Sequence, residues 1–162
     1  MTGIMDRLKT LFSDEKIDTL EKAYEIVKEL FATLGVKEED AKLDLESENM
    51  LGWSLAVNST AMYIYLFADD ENNLFVKILS PALKLPEENI LPFYRRLLEL
   101  NLNLHDIGFG VENDTVILMA QRRIDLTTVE ENKYIIEYLA VVAEKLVNSI
   151  AEEFNADKFE LE

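Results

Sequence analysis

Apolar residues recur in two different periods along the first half of the chain. Up to Gly35 they return every three or four positions, which predicts a helix that ends at this glycine. From Leu51 onward they alternate with small or polar residues, as in a half-buried strand. The turn-forming stretches Asn58-Ser59 and DDENN (residues 69–73) separate two further strands, and we expect Pro81 to limit the last one. One helix and a three-stranded antiparallel meander are therefore predicted.

The second half of the chain predicts a helix, a hairpin and a long final helix. We expect the first helix over residues 85–101 and the last over about residues 127–154, with Thr127 or Thr128 as its cap. The segments IGFGVEN and TVILMAQRRI predict the two strands of the hairpin. The side of the first helix that we expect to be buried consists of Ile90, Phe93, Tyr94, Leu97, Leu98 and Leu100.

Asn101 falls in the middle of that apolar side, at the end of the predicted helix. Asparagine tolerates the left-handed backbone conformation that ends many helices, and its amide can bond to the carbonyl groups left unpaired there. We therefore interpret Asn101 as the residue that stops the helix.

The order of the elements is α-β-β-β-α-β-β-α, without an internal repeat, a linker or a low-complexity tract. This order predicts an α+β fold in which helices pack against an antiparallel sheet of about five strands. We divide the chain into a short N-terminal helical segment over residues 1–15, a single domain over residues 16–154 and a flexible tail over residues 155–162.

Composition narrows the class of protein. Apolar residues make up 49% of the 162 positions, which is enough for one continuous core. The absence of cysteine excludes disulfides, thiolate metal sites and cysteine nucleophiles. The first residues do not resemble a secretory signal, and no apolar run approaches the roughly 20 residues of a membrane helix. We therefore expect a cytoplasmic protein.

Charge narrows the class of partner. The chain carries 32 acidic against 16 basic residues, a formal net charge of −16. Because such a surface repels phosphate groups, we expect neither a nucleic acid nor an anionic membrane as partner. The charge favours fast encounter with a basic polypeptide, although solubility alone is an alternative explanation of it.

The sequence holds no convincing catalytic or cofactor-binding pattern. The single histidine, His105, has no cysteine and no G-x-S-x-G serine to act with. The GFG of residues 108–110 lacks the third glycine and the following helix of a dinucleotide site. The acidic residues 69–73 lack the central glycine and the distal glutamate of a calcium loop, which leaves weak cation binding as an alternative to a plain turn. We expect no enzyme activity, no cofactor and no metal.

The second strand of the meander has two apolar faces. Met62, Ile64 and Leu66 share one face, and aromatic residues occupy the other. Aromatic side chains supply much of the contact area at protein interfaces. The candidate partner-binding residues are Tyr63, Tyr65 and Phe67 on this strand, Phe75 on the next and Trp53 on the one before. Two alternatives stay open: the rings belong to a core covered by helices on both sides, or this face or the last helix forms a two-fold dimer contact.

The segments LPEENILPFYRRLLELN and IGFGVENDTVILMAQRRIDL, followed by a terminal amphipathic helix, resemble the YbjN-type family of type III secretion chaperone-like proteins. The resemblance extends from about Lys16 to Phe154. It implies the α+β fold above, in small, acidic, cytoplasmic proteins that dimerise and bind other polypeptides without consuming ATP.

From this resemblance we expect a non-catalytic, homodimeric module that holds or regulates a polypeptide partner through exposed apolar surface. Strand addition at a free sheet edge is one way to bind such a partner. The alternative is a regulatory or sensor domain that binds a small ligand between the sheet and the helices.

Overall fold

Helices and strands follow one another in the order that the sequence predicts. The structure is a computed structural model that describes residues 14–47 and 49–160, with side chains from Glu21 onward. The predicted helical segment over residues 1–15 lies outside the described residues, apart from its last two positions. The elements are α1 (Asp14–Thr33), α2 (Glu38–Ala41), β1 (Met50–Val57), β2 (Thr60–Ala68), β3 (Leu74–Lys84), α3 (Ile90–Asn101), β4 (Gly108–Glu112), β5 (Thr115–Arg123), a 3-10 turn (Ile124–Leu126), α4 (Val129–Val142), a π-helical segment (Ala143–Val147) and α5 (Asn148–Phe154).

The five strands form one antiparallel sheet in the order β1-β2-β3-β5-β4. Strands β4 and β5 form an antiparallel hairpin, in which Gly108 lies opposite Met119 and Glu112 lies opposite Thr115. Because β5 pairs with β3, the two outer strands of the sheet are β1 and β4. The predicted α+β fold with an antiparallel sheet is confirmed.

The hairpin turns contain backbone in the left-handed region, including Asn72, with a φ angle of 60°, between β2 and β3. Asn58 and Ser59 have φ angles of 49° and 67°, and they are the two residues between β1 and β2. Asn113, in the two-residue loop between β4 and β5, has a φ angle of 53°. Such turns match the right-handed twist of the strands that they join, and asparagine tolerates them better than most residues. The predicted turn positions are therefore confirmed.

Contacts along the chain define two compact units. The first contains the described residues up to Ser54, together with Ile64–Lys77 and Gln121–Tyr134. The second contains Leu55–Tyr63, Ile78–Ala120 and the described residues from Ile135 onward. The single domain over residues 16–154 stays a prediction.

The core of the first unit is built around α1. Its inward residues return at helical spacing, and the helix ends as predicted before Gly35, whose φ angle is 70°. The ring of Phe31 lies 6.0 Å from that of Trp53 on β1. The buried apolar residues of this unit include Ala23, Val27, Leu30, Phe31, Trp53, Ile64, Leu66, Leu74, Val76 and Ile124.

The core of the second unit joins α3 to the C-terminal helix. Phe93 of α3 is fully buried, and its ring meets that of Phe154 edge-on at 5.2 Å. Arg96 adds an ion pair with Glu153 at 3.2 Å on the outside of the same contact. The buried apolar residues of this unit include Met62, Ile78, Leu83, Phe93, Leu97, Val116, Leu118, Ile135, Ile136, Leu139 and Ile150.

Two predicted boundaries in this region are wrong. Strand β3 continues through Pro81 to Lys84, because proline has a strand-compatible φ angle and lacks only one hydrogen-bond donor. Helix α3 begins at Ile90 and not at Leu85, which precedes a proline and is therefore disfavoured in a helical conformation. Asn89, with a φ angle of 56°, turns the chain into the helix, and its carbonyl accepts a hydrogen bond from the Phe93 N–H.

The long final helix begins with a reciprocal cap in the first unit. The Glu131 N–H donates to the Thr128 hydroxyl at 3.2 Å, and the Thr128 N–H donates to the Glu131 carboxylate at 2.8 Å. These bonds satisfy two N–H groups at the start of α4, so the predicted cap at Thr128 is confirmed. The bonds from Thr128 and Thr127 also hold the pKa of Glu131 below its usual value.

Candidate protein-binding surfaces

Trp53, the largest of the candidate partner-binding residues, is fully buried in the first unit. Its indole N–H donates to Glu38 Oε1 at 2.6 Å, and its ring lies against Phe31. The indole is thus anchored at both its apolar body and its polar tip. In this conformation Trp53 supports the core and presents no surface to a partner.

Glu38 joins three elements at this point. Besides the indole of Trp53, its carboxylate accepts a hydrogen bond from the Tyr24 hydroxyl of α1 at 3.3 Å. Burial, together with the neighbouring charge of Glu38, raises the pKa of Tyr24 to about 12. The tyrosine therefore remains a neutral hydrogen-bond donor, and the cluster fixes α2 relative to α1 and β1.

Three of the other candidate residues form an aromatic patch in the first unit, made of Tyr65, Phe67 and Phe75. All three side chains are half-buried, and the rings of Phe67 and Phe75 stack at 5.8 Å. Tyr65 lies over Gly52, where an added Cβ atom would stand 3.0 Å from the tyrosine ring. Tyr63 is also half-buried but belongs to the second unit. The aromatic patch is thus the part of the predicted site that the structure brings together.

The acidic loop beside this patch is a closed turn. The Asp69 carboxylate accepts hydrogen bonds from the N–H groups of Glu71 and Asn73, at 3.0 and 2.8 Å, and from the Asn73 amide at 3.1 Å. The bonds from Asn73 lower the pKa of Asp69. Its oxygens are therefore occupied by the turn, and within residues 14–47 and 49–160 no group of three metal-ligating side chains occurs.

The leucine stripe on α3 is exposed and consists of Leu91, Leu98 and, directly after the helix, Leu102. These side chains are 79%, 67% and 85% exposed. At about 100° per residue, spacings of seven and four place them within about 40° of one another. The prediction that Leu98 lies on the buried side of this helix is wrong, because the packed side is narrower and is centred on Phe93 and Leu97.

Asn101 does not stop the helix in the way that we predicted. Its amide reaches across to β4, where Nδ2 donates to the Phe109 carbonyl at 3.1 Å and Oδ1 accepts from the Phe109 N–H at 2.7 Å. Leu102, which follows, still has right-handed helical angles. Since the N–H and C=O of one residue in an antiparallel strand point to the same side, this side is the free edge of β4. The asparagine thus occupies part of an outer strand.

The other outer strand is also partly covered. Lys42 forms an antiparallel bridge with Trp53 of β1, and the Leu43 N–H donates to the Gly52 carbonyl at 2.8 Å. Unpaired strand edges invite association with other chains, and proteins commonly blunt them in this way. Strand addition is therefore restricted at Gly52 on one edge and at Phe109 on the other.

A cavity of about 550 Å³ lies within the second unit. Polar and apolar groups both line it, and its walls come from the β1–β2 turn, β3, the π-helical segment and the residues after α5. The lining residues are Asn58, Ser59, Thr60, Ala61, Ser80, Pro81, Ala82, Ala143, Glu144, Val147, Asn148, Lys158 and Phe159. Nothing in the sequence indicated this cavity, because its walls lie far apart along the chain.

No family model and no curated protein sequence matches this chain. Solved structures do. The ExsC–ExsE complex matches with a TM-score of 0.56 and 21% sequence identity, over 79% of this chain and 92% of that one. The Yersinia pestis type III secretion chaperone SycH, in complex with a stable fragment of YscM2, matches with a TM-score of 0.50 and 16% identity, over 76% and 98% of the two chains. The HopA1–SchA chaperone–effector complex matches with a TM-score of 0.51 and 12% identity, over 76% and 91%.

This chain has the fold of the type III secretion chaperones. The fold that the sequence motifs implied is thereby confirmed. YbjN from E. coli also matches, with a TM-score of 0.47 and 10% identity, a likeness too distant to support an argument. Among the residues that the structure describes, no helix is long and apolar enough to cross a membrane.

Proposed function

We propose that this chain is a non-catalytic, cytoplasmic protein-binding module that forms a homodimer and holds or regulates a polypeptide partner through exposed apolar surface. The observation that carries the proposal is the leucine stripe on α3, whose members are 67–85% exposed on a helix that is firmly packed on another side. An exposed apolar surface on a rigid element usually marks an interaction site. The three solved structures of the same fold are each complexes with a second polypeptide, which supports a protein partner.

We assign the leucine stripe to the contact with a second copy. Full burial of one leucine side chain stabilises an association by about 1.5–3 kcal/mol, and a two-fold contact buries the same residues on both copies. Arg95 and Glu99 flank the stripe and form an ion pair at 2.8 Å within the helix. In an antiparallel pair of α3 helices, each arginine can approach the glutamate of the other copy. The contact is thus compatible with the strongly negative charge of the chain.

We assign the aromatic patch to the polypeptide partner. Its three residues are half-buried, and the rings of Phe67 and Phe75 hold each other by stacking. Preorganised aromatic side chains lose little conformational entropy on binding. The net charge of −16 favours a partner segment that carries lysine or arginine around its apolar residues.

The dimer contact is tested by the variant Leu98→Asp, with Leu126→Asp as a matched control. Leu126 is 74% exposed but belongs to the 3-10 turn of the first unit. Light scattering is expected to give the mass of a dimer for the wild type and Leu126→Asp, and that of a monomer for Leu98→Asp. A monomeric wild type, or a Leu98→Asp variant that stays dimeric, would contradict the assignment.

The partner surface is tested by capture from a native lysate, with mass spectrometry of the retained polypeptides. Phe75→Ala removes half of the stacked pair in the aromatic patch, whereas Tyr134→Ala removes an aromatic residue of α4 that is 50% exposed. We expect the same polypeptide to be retained by the wild type and Tyr134→Ala, and to be lost with Phe75→Ala. Equal retention of the polypeptide by all three proteins would show that the partner does not bind at the aromatic patch.

The cavity of the second unit favours a second candidate function, a sensor that binds a small ligand. Its volume of about 550 Å³ is in the range of small-molecule sites, and the π-helical segment on its wall is a kind of irregularity often found at functional sites. Native mass spectrometry of the purified chain tests this candidate. A co-purified small molecule that is lost in Ala82→Leu would support it, and a ligand-free wild type would argue against it.

A further inference from the structure

The residues after α5 pair with β3 through one isolated antiparallel bridge, in a segment that we name the short strand (residues 157–159). Asn155, with a φ angle of 51°, turns the chain back, and Lys158 then lies opposite Leu83 in an antiparallel bridge. Two backbone hydrogen bonds hold this bridge: the Lys84 N–H donates to the Asp157 carbonyl at 2.8 Å, and the Phe159 N–H donates to the Ala82 carbonyl at 3.0 Å. The flexible tail over residues 155–162 stays a prediction, but residues 157–159 have defined partners.

This short strand borders the cavity of the second unit. Lys158 and Phe159 form one wall of it, and Ser80, Pro81 and Ala82 of β3 form another. The Phe159 side chain is half-buried there. The hydroxyl of Ser80, a residue that is only 1% exposed, donates to the Pro81 carbonyl at 3.4 Å, which is at the limit for a hydrogen bond. The site therefore combines two backbone groups for an extended strand with space for a large side chain and a polar group.

The present occupant carries a net negative charge on a strongly negative chain, because Asp157 and Glu160 outnumber Lys158. Asp157 begins the short strand and Glu160 follows it, Glu144 lines the cavity, and the chain as a whole carries a charge of −16. Like charges in proximity weaken an association, and opposite charges strengthen it. An extended segment with basic residues at the positions of Asp157 and Glu160 would therefore suit the same backbone groups better.

We propose that residues 155–160 occupy a binding site for an extended basic segment of a partner polypeptide that carries one large apolar side chain, and that this segment displaces them. The inference rests on the proposed function, and it specifies a second contact for the same kind of partner. The incoming segment accepts from the Lys84 N–H, donates to the Ala82 carbonyl and places its apolar side chain where Phe159 now lies. This is strand addition with a side-chain pocket, at the end of β3, where the backbone groups are covered by the chain itself.

Competition between residues 155–160 and the partner segment has a measurable effect on the affinity for that segment. While the short strand is docked, the site is closed, so the apparent affinity for a partner segment falls by the fraction of molecules in which it is open. A change that releases residues 155–160 without altering β3 must therefore strengthen binding. Phe159→Pro removes the N–H that bonds to the Ala82 carbonyl and leaves β3 unchanged.

The experiment measures binding of two fluorescent peptides to the full chain by anisotropy. One peptide has the sequence of residues 155–162, and the other carries Asp157→Lys and Glu160→Lys. We expect the basic peptide to bind Phe159→Pro several-fold more tightly than the wild type, because the docked segment no longer closes the site. We also expect it to bind more tightly than the acidic peptide. Equal binding of the basic peptide to the two proteins, or equal binding of the two peptides to Phe159→Pro, would overturn the proposal.

A second measurement needs no variant and covers the case in which Phe159→Pro does not fold. Hydrogen exchange of the wild type is followed while the basic peptide is added in excess. We expect the Phe159 amide to exchange faster and the Lys84 amide to stay protected, because the peptide takes over its bond. Unchanged exchange at Phe159 at any peptide concentration would overturn the proposal. The outcome is independent of Leu98→Asp and Phe75→Ala, so failure of the dimer or of the aromatic patch is distinguishable from failure of this site.

Discussion

The side-chain amide of Asn101 pairs with both backbone groups of Phe109. The two hydrogen bonds, of 2.7 and 3.1 Å, have the same donor and acceptor arrangement that a neighbouring strand would offer. One side chain at the end of α3 thus takes the place of a strand residue at the outer edge of β4. Neither leucine nor alanine could do this, since both lack a donor and an acceptor.

Asn101→Leu is predicted to destabilise the chain although it places an apolar residue on the apolar side of α3. The Phe109 N–H and carbonyl lose their partners at a half-buried position, which costs about 1–3 kcal/mol. Equilibrium urea unfolding measures the loss. Asn103→Leu is the control, because Asn103 is exposed and its amide makes a bond of 3.4 Å to the Glu99 carbonyl. Equal losses in the two variants would show that the pairing with Phe109 contributes little.

Thr128→Ala is predicted to lower the free energy of unfolding by about 1 kcal/mol, because it removes one half of the reciprocal cap of α4. Glu130→Ala serves as the control: Glu130 is an exposed acid in the same first turn of the helix. We expect its effect to stay within about 0.5 kcal/mol. Thermal unfolding at neutral pH distinguishes the two. A larger loss in Glu130→Ala would mean that the charge at the helix start, and not the cap, determines its stability.

Glu38→Gln is predicted to lower the pKa of Tyr24 from about 12 toward its ordinary value of 10.0, without reaching it, because burial remains the largest cause of the shift. Tyrosinate absorbance during an alkaline titration reports this change, with Tyr24→Phe identifying the signal of this residue. A pKa of Tyr24 that is unaffected by Glu38→Gln would contradict the role of the carboxylate.

The same shift has a consequence for stability. The pKa of Tyr24 is higher in the folded chain than in the unfolded one, so the stabilisation by its neutral form is fully present below about pH 10 and is lost as the pH rises through about 12. The difference in unfolding free energy between the wild type and Tyr24→Phe should therefore shrink over this range. A difference that is constant with pH would rule the linkage out.

Gly52→Ala and Gly110→Ala are predicted to have effects of opposite sign. At Gly52 a Cβ atom would lie 2.8 Å from a methyl group of Leu45 and 3.0 Å from the Tyr65 ring, so the neighbours must shift at a cost of about 1–3 kcal/mol. At Gly110 the nearest atom is 3.7 Å away, and alanine should stabilise the chain by about 0.5 kcal/mol by restricting the unfolded state. Denaturant midpoints compare the two variants. A neutral Gly52→Ala would mean that the aromatic patch is loosely held.

Local features of this chain were predictable from its sequence. The turn at Asn58 and Ser59, the stop at Gly35 and the cap at Thr128 each depend on residues within a few positions of one another, and the structure has all three. The fold class followed from the order of these elements. Such features are determined by backbone preference and by periodicity, which act before any distant contact forms.

Features that depend on distant partners were not predictable in the same way. Trp53 was a candidate for partner binding, but its burial depends on Phe31 and on Glu38, which lies 15 residues earlier in the chain. The periodicity of α3 placed Leu98 with the buried leucines, because a helical pattern shows which residues are apolar but not how wide the packed side is. To predict the bonds of Asn101 to Phe109 and the cavity beside Phe159, one must know which strands are neighbours in the sheet and which lie at its edges. Periodicity does not provide this order.

The π-helical segment over Ala143–Val147 determines the rotational phase of α5, that is, the direction in which its side chains point around the helix axis. Such a segment holds one residue more than the α-helical turn it replaces, so every side chain after it is rotated by about 100° relative to an uninterrupted helix. Phe154 meets Phe93 edge-on only in the present phase. A change that converted the segment to regular α-helix without removing a residue would therefore turn the aromatic ring that anchors α3 away from its partner, whereas deletion of one residue from the segment would leave Phe154 in its present phase.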